Sequence, residues 1–261
     1  MSEDALSSPL TIVIPAYGEA RRLGGTLRSI ATYFRGNRLS PEIVVIDDGS
    51  RDATSAVARQ FFSVYEGPSL LLVNHRNRGK GYSVRRGILA ASGERVLISD
   101  ADLSTPIEEV YALLERQEQD GCDIVIGSRA LPGSRIEVHQ SILREKLGKL
   151  FNLLVRGLSG LPFRDTQCGF KLMTREVVQP VVRDLKTEGF AYDVELVWRA
   201  LRAGLSVVEH PVRWRNSAGS SVGLLTDAPR MLLDLLRLRR WMGGTAGSMD
   251  DSAVRVAGGR P

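Results

Sequence analysis

The stretch that decides the fold is RVLISDADLS, residues 95–104. Its first half is a short run of strand-forming residues, which is typical of a strand buried inside a sheet. Two carboxylates, Asp100 and Asp102, then follow with only Ala101 between them. If this pair lies on the turn that leaves the strand, both acids can face the same ligand. The stretch therefore predicts a buried strand that delivers two acids to the edge of a sheet.

On both sides of this stretch, apolar runs alternate with helical patterns over about the first 130 residues. Continuous apolar runs are typical of strands covered on both faces, and strand–helix alternation is the pattern of right-handed βαβ units. We therefore predict an α/β fold with a mostly parallel, Rossmann-like sheet flanked by helices. The predicted strands are 10–16, 42–48, 70–75, 95–99 and 123–129, and the predicted helices are 18–36, 49–62, 77–91 and 106–120.

The second half has longer helical patterns, and its last helix is amphipathic and basic. The residues after 242 are small and polar. We expect a flexible N-terminus at 1–9, one domain at 10–242 and a disordered tail at 243–261. The elements predicted in this half are helices at 141–160, 190–204 and 224–242, a strand at 206–214, and a strand or hairpin that opens a helix at 165–178.

Composition limits the class of protein. The hydrophobic fraction of 43% suits a globular domain, and the net charge of +5 favours anionic partners, although a compositional bias without function explains it equally well. Two cysteines without disulfide or zinc spacing predict a reducing compartment. The N-terminus is unlike a signal peptide, and no apolar run reaches the ~18 residues of a membrane span. We therefore expect a cytoplasmic protein.

Polar side chains collect where the predicted strands end. Open parallel sheets bind ligands outside the carboxyl ends of their strands, so several such ends together predict a site. The residues are Tyr17, Glu19, Asp47, Asp48, Asp100, Asp102, Ser128 and Arg129.

The paired acids indicate a divalent metal. Without a cation the two carboxylates would repel each other, and one would take up a proton. Mg²⁺ and Mn²⁺ are held by one or two carboxylates together with phosphate oxygens of a substrate. Asp100 and Asp102 are therefore candidate ligands of Mg²⁺ or Mn²⁺ carrying a diphosphate. The alternative is that they only cap a turn, since Thr105 and Pro106 are typical of a helix start.

Two further motifs concern the ligand. Asp48 precedes a Gly-Ser turn and could accept hydrogen bonds from a base or ribose, or could cap an Asx-turn. The glycine-rich segment NRGKGYS at 77–83 has neither the P-loop spacing nor the dinucleotide-binding G-x-G-x-x-G. P-loop kinases and nicotinamide enzymes are therefore disfavoured.

Together these blocks resemble a known family. VIPAYGE, VVIDDGS, NRGKG, DADLS and GSR, in this order, are similar to the family 2 glycosyltransferases of GT-A fold. In the second half, RDTQCGFKL, FAYDVEL, PVRW and the basic terminal helix resemble dolichyl-phosphate β-glucosyltransferases, and dolichyl-phosphate mannose synthases are near relatives. The resemblance covers roughly residues 10–241.

The resemblance implies a role for individual residues. Asp100 and Asp102 would hold the metal and the donor diphosphate, with Asp102 also catalytic. Arg129 would be catalytic and would contact the acceptor phosphate together with Arg144. The implied nucleotide-sugar site is Pro15, Tyr17, Glu19, Ile46, Asp48, Lys80, Asp100, Ala101, Asp102 and Arg215.

This chain departs from the family pattern at two places. Ser104 stands where relatives often have a glutamine as a third metal ligand. Ser220 and Ser221 stand where a serine–lysine pair is usual, so one lysine contact is missing, for which Arg213 or Arg215 could compensate.

The implied reaction is an inverting, metal-assisted transfer of a hexose, glucose from UDP-glucose, to a polyprenyl or dolichyl monophosphate. A phosphate monoester has its second pKa near ~6, so it is ionised at neutral pH and needs positioning rather than a strong base. One alternative is a soluble family 2 enzyme with a hydroxyl acceptor and Asp193 as general base. Alternatively, Asp193 and Glu195 have no catalytic role and only stabilise a helix N-terminus.

The sequence offers two other functions. A dolichyl-phosphate mannose synthase would use GDP-mannose. A nucleotide- or nucleic-acid-binding module without turnover would need no D-x-D pair and would show basic residues interleaved with aromatics. With an aromatic fraction of 6%, we expect no nucleic-acid partner.

The basic amphipathic helices at 141–160 and 224–242 suit a position on a membrane surface. They combine leucines with lysine and arginine, as interfacial helices do. We expect peripheral attachment at the cytoplasmic face. The alternative is packing against the core or against a second subunit in a homodimer.

Overall fold

The computed structural model describes residues 9–138, 142–215, 227–243 and 254–255. The strands are β1 Leu10–Ala16, β2 Glu42–Asp47, β3 Ser69–Val73, β4 Arg95–Ile98, β5 Ile124–Ser128, β6 Arg135–Val138, β7 Lys171–Thr174, β8 Val207–Pro211, β9 Arg213–Arg215 and β10 Val254–Arg255. The helices are α1 Leu23–Gly36, α2 Thr54–Phe62, α3 Lys80–Ala90, α4 Val110–Asp120, α5 Ile142–Ser159, α6 Arg175–Arg183, α7 Tyr192–Arg202 and α8 Asp227–Gly243, with a 3₁₀ turn at Ile107–Glu109.

The predicted mostly parallel sheet is confirmed. Its eight strands have the order β10-β8-β5-β7-β4-β1-β2-β3. Only β7 is antiparallel, and it runs against both neighbours, β4 and β5. Because β7 is reversed, it starts at the edge of the sheet where β4 and β5 end.

Helices cover the sheet on both faces, which explains the continuous apolar strands. Along β1, Ile12 and Ile14 pack towards α1 and α4, while Val13 packs towards α3 and α7. Gly87 of α3 is needed for this close packing, since a Cβ there would lie 2.4 Å from the side chain of Val13. The sheet is therefore a rigid base for the loops at its edge.

Several predicted boundaries need correction. The helix predicted at 18–36 begins at Leu23, because Gly18 has a positive φ of 69° and a turn with Arg22 N–H bonded to the Glu19 carbonyl follows it. The helix predicted at 49–62 begins at Thr54. Within 165–178, only Lys171–Thr174 is strand.

The strand predicted at 206–214 is in fact two strands. β8 belongs to the main sheet, whereas β9 leaves it and pairs in parallel with β6 in a separate ribbon. Between them, Val212 N–H bonds to the carbonyl of Ser128 at the end of β5. The chain therefore turns off the sheet at the same edge where β5 ends.

The predicted domain limits stay a prediction. Val254–Arg255 lies in the segment expected to be disordered, yet it pairs with β8 as the edge strand. None of the helices in the described part of the chain has the length and apolar character that crossing a membrane requires.

Candidate active site

The carboxyl ends of β1, β2, β4 and β5 meet at one edge of the sheet. The start of the reversed strand β7 lies at the same edge. The sequence-predicted residues that this arrangement brings to the edge are Tyr17, Glu19, Asp48, Asp100, Asp102 and Arg129. The edge also receives residues 168–170, to which sequence reasoning gave no role in ligand binding.

Asp100 and Asp102 lie on a turn after β4 that is fixed from two sides. The Thr26 hydroxyl donates to the carbonyl of Ala101 at 2.6 Å, and the N–H of Ser104 donates to Asp102 Oδ1 at 3.0 Å. Leu103 has a φ of 47°, in the left-handed region. The acids are therefore held on a rigid turn, while Ala101 itself is buried.

A lysine faces the first of these acids. Lys80, at the start of α3, has its Nζ 2.5 Å from Asp100 Oδ1. Burial alone would lower the pKa of Lys80, but the nearby carboxylates outweigh burial and hold this pKa above its usual value. Lys80 therefore brings a full positive charge to the acidic turn.

An arginine that sequence reasoning missed lies near the second acid. Arg22 Nη1 is 3.8 Å from Asp102 Oδ2. Glu19 orients the guanidinium through two hydrogen bonds of 2.7 and 2.6 Å. The pKa of Glu19 is raised, because its burial outweighs the effect of Arg22. The three-residue spacing between Glu19 and Arg22 was the only signal in the sequence.

The start of β7 leaves room for Asp100. A Cβ on Gly169 would lie 2.0 Å from Asp100 Oδ2, a distance that no side chain tolerates. The lack of a side chain at Gly169 therefore allows the Asp100 carboxylate to occupy its position.

Asp193 is bound in a buried ion pair. Lys171 is 0% exposed and Asp193 3% exposed. The Lys171 ammonium donates to the Asp193 carboxylate and to the carbonyl of Cys168. Burial raises the pKa of Asp193 in spite of Lys171 and Lys80. The carboxylate is almost completely buried and bound to Lys171, as in a structural ion pair, and its role as a general base stays a prediction.

Glu195 has a structural role of a similar kind. It is fully buried and accepts hydrogen bonds from the N–H groups of Lys186 and Thr187, at 3.0 and 2.7 Å, and from Arg199. These bonds fix the segment before α7.

Arg129, after β5, is paired with Asp165. Arg129 Nε lies 2.7 Å from Asp165 Oδ2, and Nη2 lies 2.9 Å from Oδ1. The pKa of Asp165 is lowered, because this pairing outweighs burial. The charge of Asp100 also acts on Arg129 and helps to raise the arginine's pKa against burial. Arg129 and Asp100 therefore belong to one electrostatic site.

Asp48 organises the glycine-rich loop. Its carboxylate accepts hydrogen bonds from the side chain of Asn74 at 2.6 Å and from the N–H groups of Arg78 and Gly79 at 2.9 and 2.7 Å. Gly79 has a positive φ of 108°. Since Lys80 comes next, Asp48 also sets the place from which Lys80 reaches Asp100.

The other residues predicted for the nucleotide pocket differ in accessibility. Tyr17 is 44% exposed and can contact a ligand, and Pro15 is half-buried. Ile46 is completely buried in the core against α3. The side chain of Ile46 therefore cannot line the pocket as predicted, because it packs inside the sheet.

The β6–β9 ribbon brings Arg215 beside the acidic turn. The N–H of Arg215 donates to the carbonyl of Ser104 at 2.7 Å, and its half-exposed guanidinium pairs with Glu137. The side chain of Arg144 and the Ser220–Ser221 departure lie outside the described residues.

The acidic turn suits a divalent metal in its donor chemistry. Carboxylate oxygens are the donors that Mg²⁺ and Mn²⁺ prefer when a substrate diphosphate supplies further oxygens. The residues that the structure describes contain no cluster of three His, Cys, Asp or Glu side chains able to form an all-protein site. A metal here would therefore depend on its substrate for ligands.

Comparison with known proteins identifies relatives along most of the chain. The model of Glycosyl transferase family 2 matches residues 11–181. The dolichyl-phosphate beta-glucosyltransferase of Homo sapiens is 34% identical, over 90% of this chain and 76% of that protein. The enzyme of the same name from Dictyostelium discoideum is 32% identical, over 88% of this chain and 73% of that protein.

Solved structures share the fold. Glucosyl-3-phosphoglycerate synthase of Mycobacterium tuberculosis superposes with a TM-score of 0.66 at 20% identity, covering 91% of this chain and 83% of that chain. Mannosyl-3-phosphoglycerate synthase of Rubrobacter xylanophilus gives a TM-score of 0.64 at 21% identity, covering 93% and 78%. The Mycobacterium tuberculosis enzyme has been crystallised with Mn²⁺, UDP-glucose and phosphoglyceric acid.

Proposed function

The chain belongs to glycosyl transferase family 2, and on that premise we propose that it transfers glucose from UDP-glucose to a polyprenyl or dolichyl monophosphate. The observation that carries the proposal is the cluster of Asp100, Asp102, Lys80 and Arg129 at one sheet edge. It combines acids for a metal–diphosphate with cations for phosphate groups. The names of the relatives, which align along 88 and 90% of the chain, supply the sugar and the lipid.

The donor diphosphate is the leaving group. Asp100 and Asp102 would hold Mg²⁺ or Mn²⁺, which supplies positive charge against the diphosphate when bound. Lys80 adds a fixed positive charge beside the same turn. Preorganised charge of this kind stabilises the negative charge that develops as the bond to the sugar breaks.

The acceptor phosphate is the nucleophile. Its oxygen attacks the anomeric carbon of glucose while the bond from that carbon to the nucleoside diphosphate breaks, and a single displacement inverts the configuration. No proton has to be removed from an ionised phosphate. Arg129 neutralises and orients this phosphate.

The surroundings of Asp193 support a phosphate acceptor over a hydroxyl acceptor. A hydroxyl nucleophile needs a base within hydrogen-bonding reach. Asp193, the candidate for that role, is 3% exposed and bonded to the buried Lys171. A phosphate acceptor needs no such base.

Turnover with defined donors and acceptors tests the proposal. Purified protein is incubated with Mg²⁺ or Mn²⁺, UDP-glucose or GDP-mannose, and a short polyprenyl phosphate, and both nucleoside diphosphate and glycolipid are measured. We expect metal-dependent glucosyl lipid from UDP-glucose. Product from GDP-mannose alone would make the enzyme a mannose synthase. Donor binding without lipid product, but with turnover on a hydroxyl acceptor, would replace the proposal by the hydroxyl-acceptor alternative.

Exposed leucines on two packed helices support peripheral membrane attachment. We define the apolar stripe as Leu153 and Leu154 of α5 with Leu232, Leu233, Leu236 and Trp241 of α8, all substantially exposed. Exposed arginines accompany it, namely Arg156, Arg230, Arg237, Arg239 and Arg240. Apolar area beside positive charge matches an anionic lipid surface. A homodimer that covers this stripe is the alternative.

Changing Leu233 and Leu236 to glutamate should abolish binding to vesicles. A fully buried leucine contributes about 1.5–3 kcal/mol, so losing two in the lipid should weaken partitioning by about 10²-fold or more. Cosedimentation with vesicles of 30 mol% anionic lipid measures this, with Val64→Glu, which changes an exposed valine outside the stripe, as the control. A change from dimer to monomer in light scattering, with vesicle binding intact, would instead identify the stripe as a subunit interface.

A further inference from the structure

Arg129 is held by Asp165 more completely than a surface ion pair requires. Asp165 accepts hydrogen bonds from Nε, Nη2 and the backbone N–H of Arg129, at 2.7, 2.9 and 3.0 Å. The Asp165 residue is 1% exposed, whereas a third of the Arg129 side chain is open to solvent. The bidentate pairing fixes the plane of the guanidinium as well as its position.

A second carboxylate fixes Asp165 in turn. Glu209 of β8 is completely buried and accepts hydrogen bonds from the N–H groups of Arg164 and Asp165, both at 2.8 Å. Glu209 therefore fixes the backbone that carries Asp165. These hydrogen bonds connect a buried carboxylate on β8 to the guanidinium that follows β5.

The remaining faces of Arg129 are defined as well. Trp214 lies over the guanidinium, with its ring centroid 5.8 Å from the arginine Cζ. Nη1 has no hydrogen-bond partner among the described residues, while Nε and Nη2 are both bound. One edge of the guanidinium is therefore left to donate to a ligand.

We propose that Asp165 is a positioning residue that aims the Nη1 edge of Arg129 at the acceptor phosphate, with Glu209 supporting it. This inference rests on the proposed function, because the acceptor phosphate is its ligand. It predicts that the loss of Asp165 impairs use of the acceptor and leaves binding of the donor unchanged. If Asp165 were only structural, its loss would impair the binding of donor and acceptor alike.

Asp165→Asn tests this through the separate kinetics of the two substrates. Aspartate accepts from Nε and Nη2 through its two oxygens, whereas asparagine has only one acceptor oxygen. The guanidinium of Arg129 therefore loses its fixed plane. Because misplacement of about 1 Å can cost about 10²-fold, we expect kcat/KM for polyprenyl phosphate to fall by about 10²-fold. UDP affinity, measured by calorimetry without acceptor, should stay unchanged. Glu118→Gln, which neutralises the acid paired with Arg95 on β4, is the matched control.

Two further variants keep the test valid if Asp165→Asn folds poorly. Arg129→Lys keeps the charge but cannot form the bidentate pair, and should be as defective towards the acceptor as Asp165→Asn. Free guanidinium ion should restore part of the activity of Arg129→Ala. It should not restore the activity of the double variant Arg129→Ala/Asp165→Asn, because that variant lacks the carboxylate that would hold the ion.

Three results would overturn the inference. They are a wild-type kcat/KM for polyprenyl phosphate in Arg129→Lys, a loss of UDP affinity in Asp165→Asn as large as its loss towards the acceptor, and losses of kcat/KM that multiply when Arg129→Ala and Asp165→Asn are combined. Each of them leaves wild-type transfer to lipid phosphate intact, and so leaves the proposed function standing. Absence of lipid-dependent turnover in the wild type would overturn the proposed function, and this inference with it.

Discussion

Replacing Asp102 by asparagine is expected to lower kcat by about 10²- to 10³-fold, the usual cost of removing one preorganised electrostatic group from a catalytic site. Asparagine keeps an oxygen that accepts the hydrogen bond from the Ser104 N–H, so the turn should stay in place. It removes the charge with which Asp102 would hold the metal and its diphosphate. Nucleoside diphosphate release at saturating donor and acceptor measures the change.

The loss should be one of chemistry and not of folding. Glu19, Asp100 and Asp102 are neighbouring acids, so removing one charge should leave the midpoint of thermal unfolding unchanged or slightly higher. Mn²⁺ affinity in the presence of UDP, followed by the electron paramagnetic resonance of free Mn²⁺, should fall together with kcat. Asp120→Asn, which neutralises an acid paired with Arg116 on α4, should match the wild type in both measurements. Full turnover in Asp102→Asn would remove Asp102 from the clamp.

Local patterns predicted β1, β2, β4 and β5 because these strands are buried on both faces. These strands are continuous apolar runs, and the polar residues that mark the sheet edge lie at their ends or directly after them. The paired acids after β4 could be identified in the same way. What made them visible is a change from apolar to charged within two residues.

The direction of β7 could not be predicted. Whether a strand runs with or against its neighbours depends on pairings that are distant in sequence, and residues 171–174 pair with β4 and β5 on either side. The reversal is what brings Gly169 against Asp100. Similarly, β9 separates from β8 because it pairs with β6, which no local pattern indicated.

The supporting charges were missed for the same reason. Arg129 and Asp165 are 36 residues apart, and Asp165 and Glu209 are 44 apart. Asp165 and Glu209 are unremarkable in their own segments, and their roles become visible only through their partners. Sequence patterns thus predicted the polar residues at the sheet edge better than the residues that hold them in place.

Replacing Lys171 by methionine is expected to cost about 3–5 kcal/mol of unfolding free energy, the usual effect of leaving one member of a buried ion pair without its partner. Lys171 is 0% exposed, and its ammonium bonds the carboxylate of Asp193. Without it, the charge of Lys80 still acts on that carboxylate, and Asp100 opposes it. Urea unfolding at pH 7.5 measures the loss. Arg237→Met, which removes an exposed ion pair on α8, should cost at most about 1 kcal/mol.

The deficit of Lys171→Met should shrink as the pH is lowered. Burial raises the pKa of Asp193 even with Lys171 present, so in the variant the native state should bind a proton at a higher pH than the unfolded state does. Acid then favours the native state of the variant, and the difference from wild type should narrow between pH 7.5 and pH 5. A deficit that does not change with pH would mean that the carboxylate is not left charged and buried.

The double variant Lys171→Met/Asp193→Leu separates structure from catalysis. Replacing both members by apolar side chains removes the unpaired charge, so most of the lost stability should return. If Asp193 serves only this pair, the double variant should still transfer glucose to polyprenyl phosphate, because an ionised phosphate supplies its own nucleophile. A stable double variant that has lost all turnover would instead identify Asp193 as a group the reaction needs. The hydroxyl-acceptor mechanism would then become the stronger explanation of this site.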